Sequence, residues 1–155
     1  MRNYLRQKLR EDNFITCTSD GVPSSPVGRL CIDDNWPSSD LGIDWHHIRS
    51  LVVFKEAERV PYKHLQHLRV LDAQKYTGDG ALGNQHLKDM CGLLRLRHLL
   101  LSGVLQWEDI ILGVHGDQTI TEIPREIARL QYLETLEVRE TGIRQLPAEM
   151  GDLKQ

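Results

Sequence analysis

Five segments of this chain share one spacing, and that spacing restricts the fold more than any other feature does. They are "VGRLCIDDN" from Val27, "IRSLVVFKE" from Ile48, "LRVLDAQKY" from Leu68, "LRHLLLSGV" from Leu96 and "LETLEVRET" from Leu133. Each opens on an apolar residue, has Leu fourth and an apolar residue sixth: Leu30/Ile32, Leu51/Val53, Leu71/Ala73, Leu99/Leu101 and Leu136/Val138. Apolar residues at positions 4 and 6 predict a short strand with one buried face. A single repeat of this length cannot bury its own leucines, but stacked neighbours form a continuous core.

The starts at 27, 48, 68, 96 and 133 lie 21, 20, 28 and 37 residues apart. The last gap is resolved by a second match. "TITEIPREIARLQYL" (119 to 133) and "GIRQLPAEMGDLK" (142 to 154) correspond at an offset of 23, pairing Ile120/Ile143, Ile123/Leu146, Pro124/Pro147, Ile127/Met150 and Leu130/Leu153. Subtracting 23 from 37 leaves a 14-residue insertion within 104 to 118. In both segments the proline is expected to open a short helix, where its missing N–H costs nothing. Glu126 and Glu149 then stand near the positive helix start. The expected fold is α/β: a solenoid with short parallel strands on the concave face, and loops and short helices on the convex face. Residues 1–26 read as an N-terminal capping or linker segment and 27–155 as about five repeats.

This pattern resembles the leucine-rich repeat region of plant intracellular immune receptors, the nucleotide-binding leucine-rich repeat type found in grasses. The residues that carry the resemblance are "HIRSLVVF" (47 to 54), "LQHLRVLDA" (65 to 73), "HLKDMCGLLRLRHLLLSG" (86 to 103) and "IPREIARLQYLETLEVRETGIRQLPAEMGDL" (123 to 153). "REDNFIT" (10 to 16) also resembles the segment that joins a receptor's winged-helix region to its first repeat. The P-loop and the Met-His-Asp switch of such receptors do not occur in this sequence. The last residues stop where a next L-x-x-L strand is due, so the chain reads as a fragment or truncated relative of a larger receptor. The resemblance implies a leucine-rich repeat solenoid that contacts the receptor's ATPase module, a pathogen effector or a guarded host protein. The alternative is a freestanding repeat scaffold or an inactive truncated product.

A competing motif is "TGDGALG" (77 to 83), a G-x-G-x-x-G between strand-like "LRVLDA" and helix-like "NQHLKDM". Strand, glycines and helix in that order mark a dinucleotide pyrophosphate loop. A dinucleotide-binding strand, however, is buried on both faces and nearly all apolar. Here Arg69, Asp72 and Gln74 interrupt it, and the next strand ends in Ser102 and Gly103 instead of the ribose-binding acid. The glycines read as a lengthened loop, and a nucleotide-binding enzyme at Gly78–Gly83 is the remote alternative. No nucleophile motif, catalytic residue or cofactor is expected.

His46-His47 and His64-x-x-His67 lack a Cys or carboxylate at zinc-ligand spacing and read as surface histidines beside strand starts. Cys17, Cys31 and Cys91 are few, odd in number and widely spaced, which suits buried thiols in a reducing cytosol better than a disulfide framework. Cys17 reads as buried or simply exposed rather than reactive. A net charge of -3 argues against nucleic-acid and membrane-surface partners, which need a positive field. Neither a signal peptide nor an apolar run of transmembrane length is found, so a cytoplasmic location is expected.

Binding is expected on the concave strand residues between and beside the leucines. Position 2 gives Gly28, Arg49, Arg69, Arg97 and Glu134; position 5 gives Cys31, Val52, Asp72, Leu100 and Glu137; position 7 gives Asp33, Phe54, Gln74, Ser102 and Arg139. Three arginines in one column beside exposed Val52, Phe54 and Leu100 suit a protein interface. The bland reading has Val52 and Phe54 packed under the loop 55 to 64 and the arginines simply solvated. Position 9 gives Asn35, Glu56, Tyr76, Val104 and Thr141, of which only Asn35 and Thr141 suit a coil-to-coil hydrogen bond; the register of the middle repeats is open on that ground.

Overall fold

The structure, a computed structural model, describes residues 16–18, 27–32, 42–54, 56–74, 82–102, 120–139 and 141–153. Most of 1–26, the glycines Gly78 and Gly80, the 104–118 insertion, and Asp33, Asn35, Tyr76 and Val104 lie outside the described residues.

Six strands form one sheet in chain order, every neighbouring pair parallel. They are β1 (Thr16–Cys17), β2 (Arg29–Ile32), β3 (Ser50–Val53), β4 (Val70–Gln74), β5 (His98–Ser102) and β6 (Thr135–Arg139). The register is the one the leucine spacing predicts. Leu30, Leu51, Leu71, Leu99 and Leu136 stand opposite one another, and so do Ile32, Val53, Ala73 and then Leu101 and Val138. No register drift occurs in the middle coils.

A ladder of backbone bonds fixes this register just ahead of the strands. The N–H of Arg49 donates to the Gly28 carbonyl, Arg69 to Arg49, Arg97 to Arg69 and Glu134 to Arg97, each at 2.8 Å. Position 2 is therefore a laddered column: each of these coils starts hydrogen-bonded to the coil before it. Such pairing satisfies the backbone groups that parallel strands otherwise leave unpartnered when they are this short.

The convex side closes with short helices. Among the described residues one is α-helical, α1 (Asn84–Met90), and five are short 3-10 helices: Trp45–His47, Ala57–Arg59, Tyr62–His64, Arg125–Arg129 and Ala148–Asp152. Pro124 and Pro147 sit at the N-caps of the last two with ψ of 147° each, and Glu126 and Glu149 fill their first turns. The 3-10 form suits a rise that must return to the next strand within a few residues.

Between sheet and helices runs the core. Ile48, Leu68 and Leu96 at position 1 and Leu51, Leu71 and Leu99 at position 4 are fully buried. Tyr62, Leu65, Leu87, Met90, Ile127 and Leu130 meet them from the convex side. Tyr62 Oη satisfies itself inside this core by donating to the Ala57 carbonyl at 2.7 Å. Burial pushes the Tyr62 hydroxyl and, up to about 12, the Cys91 thiol above their ordinary values, with Glu58 and Glu126 respectively adding to the effect.

The segment read as a cap or linker contains β1, a strand that the leucine pattern does not reveal. Thr16 pairs with Leu30, so a threonine occupies column 4 where every later strand has leucine.

Candidate interaction surface

The pleat sends positions 3, 5 and 7 to the concave face and positions 4 and 6 to the core. The exposure pattern of β3, β4 and β5 follows this alternation, with every second residue buried. That alternation also argues against the dinucleotide reading, since β4 is not buried on both faces. At the end of the same loop, the Gly83 N–H is taken by His86 Nδ1 at 3.1 Å, and the Gly83 carbonyl accepts from Leu87 at 3.3 Å as α1 begins.

Arg49, Arg69 and Arg97 are all exposed, stacked on successive coils. They are not equivalent. Arg97 Nη1 is ion-paired with Glu134 Oε1 at 2.6 Å, and His98 Nε2 lies 3.6 Å from the other Glu134 oxygen. Among the described residues, Arg49 and Arg69 have no ion-pair partner. Among the described residues the column thus has two cations without an ion pair in the middle coils and a neutralised pair between β5 and β6.

Column 5 runs Cys31, Val52, Asp72, Leu100, Glu137 across β2 to β6. Asp72 is half-buried, and its loss of solvent pushes its carboxyl above the ordinary carboxylate range. The Gln74 amide, 3.3 and 3.4 Å from the two oxygens, opposes this; the Glu137 charge two strands away reinforces it. Glu137 is itself paired with Arg139. Ser102 stands beside Arg139 in column 7.

One expectation fails here. Phe54 is not an exposed anchor: it is 8% exposed and packs with Cys17 and Cys31, against half-buried Val52. It is not in the cluster that holds Ala57, Val60 and Tyr62 of the 55 to 64 loop. Its N–H donates to the Ile32 carbonyl at 2.9 Å, which extends β3 alongside β2 and turns the ring onto the concave side of the first coils. Leu100 and Val52 remain half-buried on that face.

Column 3 was not singled out from the sequence, yet it belongs to the same face: Arg29, Ser50, Val70, His98 and Thr135. His98 Nδ1 lies 3.2 Å from Thr135 Oγ1. The pleat alone could have identified it, because positions 3, 5 and 7 share a side.

At the β6 end the core is less covered. Leu136 and Val138 are half-buried, whereas Leu99 and Leu101 beside them are buried. An open recess of about 670 Å³ lies there, lined by Tyr132, Leu133, Leu136, Met150 and Leu153 among others.

Two of the histidines meet. The His46 and His64 rings meet edge to face at 5.8 Å, and His47 Nδ1 lies 2.7 Å from Asp44 Oδ2, a bond that holds the Asp44 carboxyl below its usual range. Among the described residues, no group of three or more His, Cys, Asp or Glu is placed to hold a metal ion. Among the same residues, no helix is long and apolar enough to cross a membrane.

In-register parallel strands, leucine columns and a laddered position 2 define a leucine-rich repeat solenoid. A family model described as "Leucine-rich repeat region" matches residues 47–155, and the chain belongs to that family. The chain is 32% identical over 161 residues to the disease resistance protein Pik-2 of Oryza sativa subsp. japonica, an alignment that takes in 98% of this chain and 14% of Pik-2. It is 33% identical over 160 residues to the disease resistance protein RGA4 of the same organism, covering 99% of this chain and 14% of RGA4. Disease resistance protein Pik-1, also from that rice, is 31% identical over 151 residues, 89% of this chain and 12% of Pik-1. The chain therefore spans about one seventh of the length of the first two of these relatives.

Proposed function

We propose that this chain is a non-catalytic protein-interaction module of a plant intracellular immune receptor, acting in the cytoplasm in the defense response. Residues 27–155 form the repeat domain and 1–26 a capping or linker segment that carries its first strand. Its concave face, from Arg49 through Arg69 and Asp72 to Glu137, makes a regulatory contact with the receptor's ATPase module. Recognition of a pathogen effector or guarded host protein is the second task of such a face.

The observation that carries this reading is the pair Arg49 and Arg69. Both are exposed, lack an ion-pair partner among the described residues, and are held one strand apart by the position-2 ladder. The ladder fixes the spacing of their backbones, so the two charges present a column complementary to a partner surface that carries acidic groups. The similarity to Pik-2 and RGA4 supports the receptor setting.

The test is charge reversal of Arg49, Arg69 and Arg97 to Glu together, with binding to the separately expressed ATPase module measured by surface plasmon resonance. Weaker binding with an unchanged circular dichroism spectrum is the expected result. Unchanged binding removes the regulatory contact from this face.

A further inference from the structure

Away from the leucine core, two thiols share one small apolar cluster. Cys17 of β1 and Cys31 of β2 are register partners on adjacent parallel strands, both in column 5 and so on the same face of the sheet. They are 3% and 2% exposed, packed with Phe54 and set apart from the main core. Neither is in a disulfide. The third cysteine, Cys91, belongs to the main core behind the sheet.

We propose that Cys17 and Cys31 are a redox modification site, at which a peroxide or a low-molecular-weight disulfide closes a reversible cross-strand disulfide between β1 and β2. Register partners on parallel strands lie about 4.8 Å apart. That falls inside the Cα separation of roughly 4.4–6.8 Å that a disulfide spans. The Cβ atoms start at about the same spacing, beyond the ~3.8 Å mean of a relaxed bridge. Closing the bond therefore draws β1 toward β2 and stores strain. Strained bridges have the more oxidising potentials and are the labile, regulatory kind.

β1 can make that movement. It is two residues long and pairs only with β2 in the described sheet, so it belongs to the easily opened end of the stability range. The same opening admits the oxidant to otherwise buried sulfurs. With hydrogen peroxide, one thiolate attacks the O–O bond and becomes a sulfenic acid, releasing the first water after protonation. The second sulfur then displaces the hydroxyl; the S–S bond forms, the S–O bond breaks, and a second water leaves. Each sulfur gives up one electron and the peroxide takes both. With oxidised glutathione, one thiolate displaces a glutathione thiolate to give a mixed disulfide, the second sulfur displaces the other, and two reduced glutathiones leave with the two electrons. The product ties the segment 17–31 into a covalent loop and pins the first coil, with the Phe54 cluster, to the sheet.

The experiment uses the full chain, as wild type and as Cys91→Ser, titrated under native conditions with oxidised glutathione or hydrogen peroxide. Samples are unfolded, alkylated with N-ethylmaleimide and analysed by intact mass and non-reducing peptide mapping. The expected product has lost two hydrogens, carries no adduct, links the Cys17 and Cys31 peptides, and reverts with dithiothreitol. In the wild type Cys91 stays alkylatable. Cys17→Ser and Cys31→Ser each abolish the bridge, and the oxidised parent unfolds several degrees above the reduced one. Glutathione or sulfinic adducts on single cysteines, a bridge through Cys91, or Cys17 and Cys31 both still alkylated in the unfolded samples after oxidant treatment would overturn the proposal.

Discussion

The N–H of Arg97 donates to the carbonyl oxygen of Arg69 at 2.8 Å, although 28 residues of chain (97 minus 69) separate them. The same bond, at the same length, joins Arg49 to Gly28 and Glu134 to Arg97 across gaps of 21 and 37 residues. Coil length varies while the strand pitch does not. The sheet is the invariant: the extra residues between strands leave its register unchanged.

Because every column is a stack, the cost of removing a leucine depends on its place in the stack. Leu71 is fully buried between Leu51 and Leu99, so Leu71→Ala opens a cavity that neighbouring coils cannot fill and should cost about 2–5 kcal/mol. Leu136 sits at β6 and is only half-buried; Leu136→Ala should cost roughly 1–2 kcal/mol. Urea unfolding of the two variants checks the ordering. Equal losses would show that the β6 end is as well packed as the centre.

A second connection spans the insertion. Asn84, at the start of α1, donates to Thr121 Oγ1 at 3.0 Å and accepts from the Thr121 N–H at 3.0 Å. This two-point clamp ties one coil's helix to the chain re-entering after residue 119. Asn84→Ala should destabilise the chain by about 1 kcal/mol, the net value of such bonds at a partly exposed site. Gly142 packs against the same threonine: a Cβ there would stand 3.2 Å from Thr121 Cγ2. Gly142→Ala should therefore be destabilising in the parent and closer to neutral in Thr121→Ser, which lacks that methyl. Thermal melts of the single and double variants give the comparison.

What the sequence reveals here is whatever repeats. The leucine columns, the parallel order and the two proline-opened turns follow from spacing alone, since burial of one strand face forces the register. β1 escapes notice because it has two residues and puts Thr16 in the leucine column. Phe54 is misread for the same reason: position 7 is open to solvent by rule, and only the neighbouring Cys17 and Cys31 make it a buried site. The arginine column is legible as a row of cations. That Arg97 is neutralised by a residue 37 positions later, and Arg49 and Arg69 have no ion-pair partner among the described residues, depends on side-chain placement that no spacing encodes.

Asp72 gives a pH signature. Its folded pKa is raised above the reference value of 3.8, chiefly by burial, so the folded state holds this proton more tightly than the unfolded chain does. The associated stability is fully present below 3.8 and is lost as pH rises through the folded pKa. At neutral pH the ionised carboxylate is a liability. Asp72→Asn keeps an oxygen for Gln74 to bond and removes the charge, so it should stabilise the chain at pH 7. The advantage should shrink as pH falls through this window. Denaturant midpoints of parent and variant, taken as differences across the acid range, test it; a constant difference would mean that burial of the charge is not the cause.

The Arg97–Glu134 pair makes the last prediction. Both side chains are about half exposed (50% and 52%), so their bond adds little stability, roughly 0–1 kcal/mol. Its effect on binding should be larger, because Glu134 neutralises one cation of a three-arginine column. Glu134→Ala should leave the melting temperature nearly unchanged, free Arg97 and strengthen association with an acidic partner face. The gain should come mainly in the association rate and fade as added salt shortens the reach of the field. Arg49→Glu and Arg69→Glu should each weaken binding more than Arg97→Glu in the parent, where Arg97 is already compensated. In the Glu134→Ala background the three reversals should become alike. Surface plasmon resonance at low and high ionic strength distinguishes the cases. If Arg97→Glu is the most damaging change in the parent, the partner is reading the Arg97–Glu134 pair itself and not the open cations beside it.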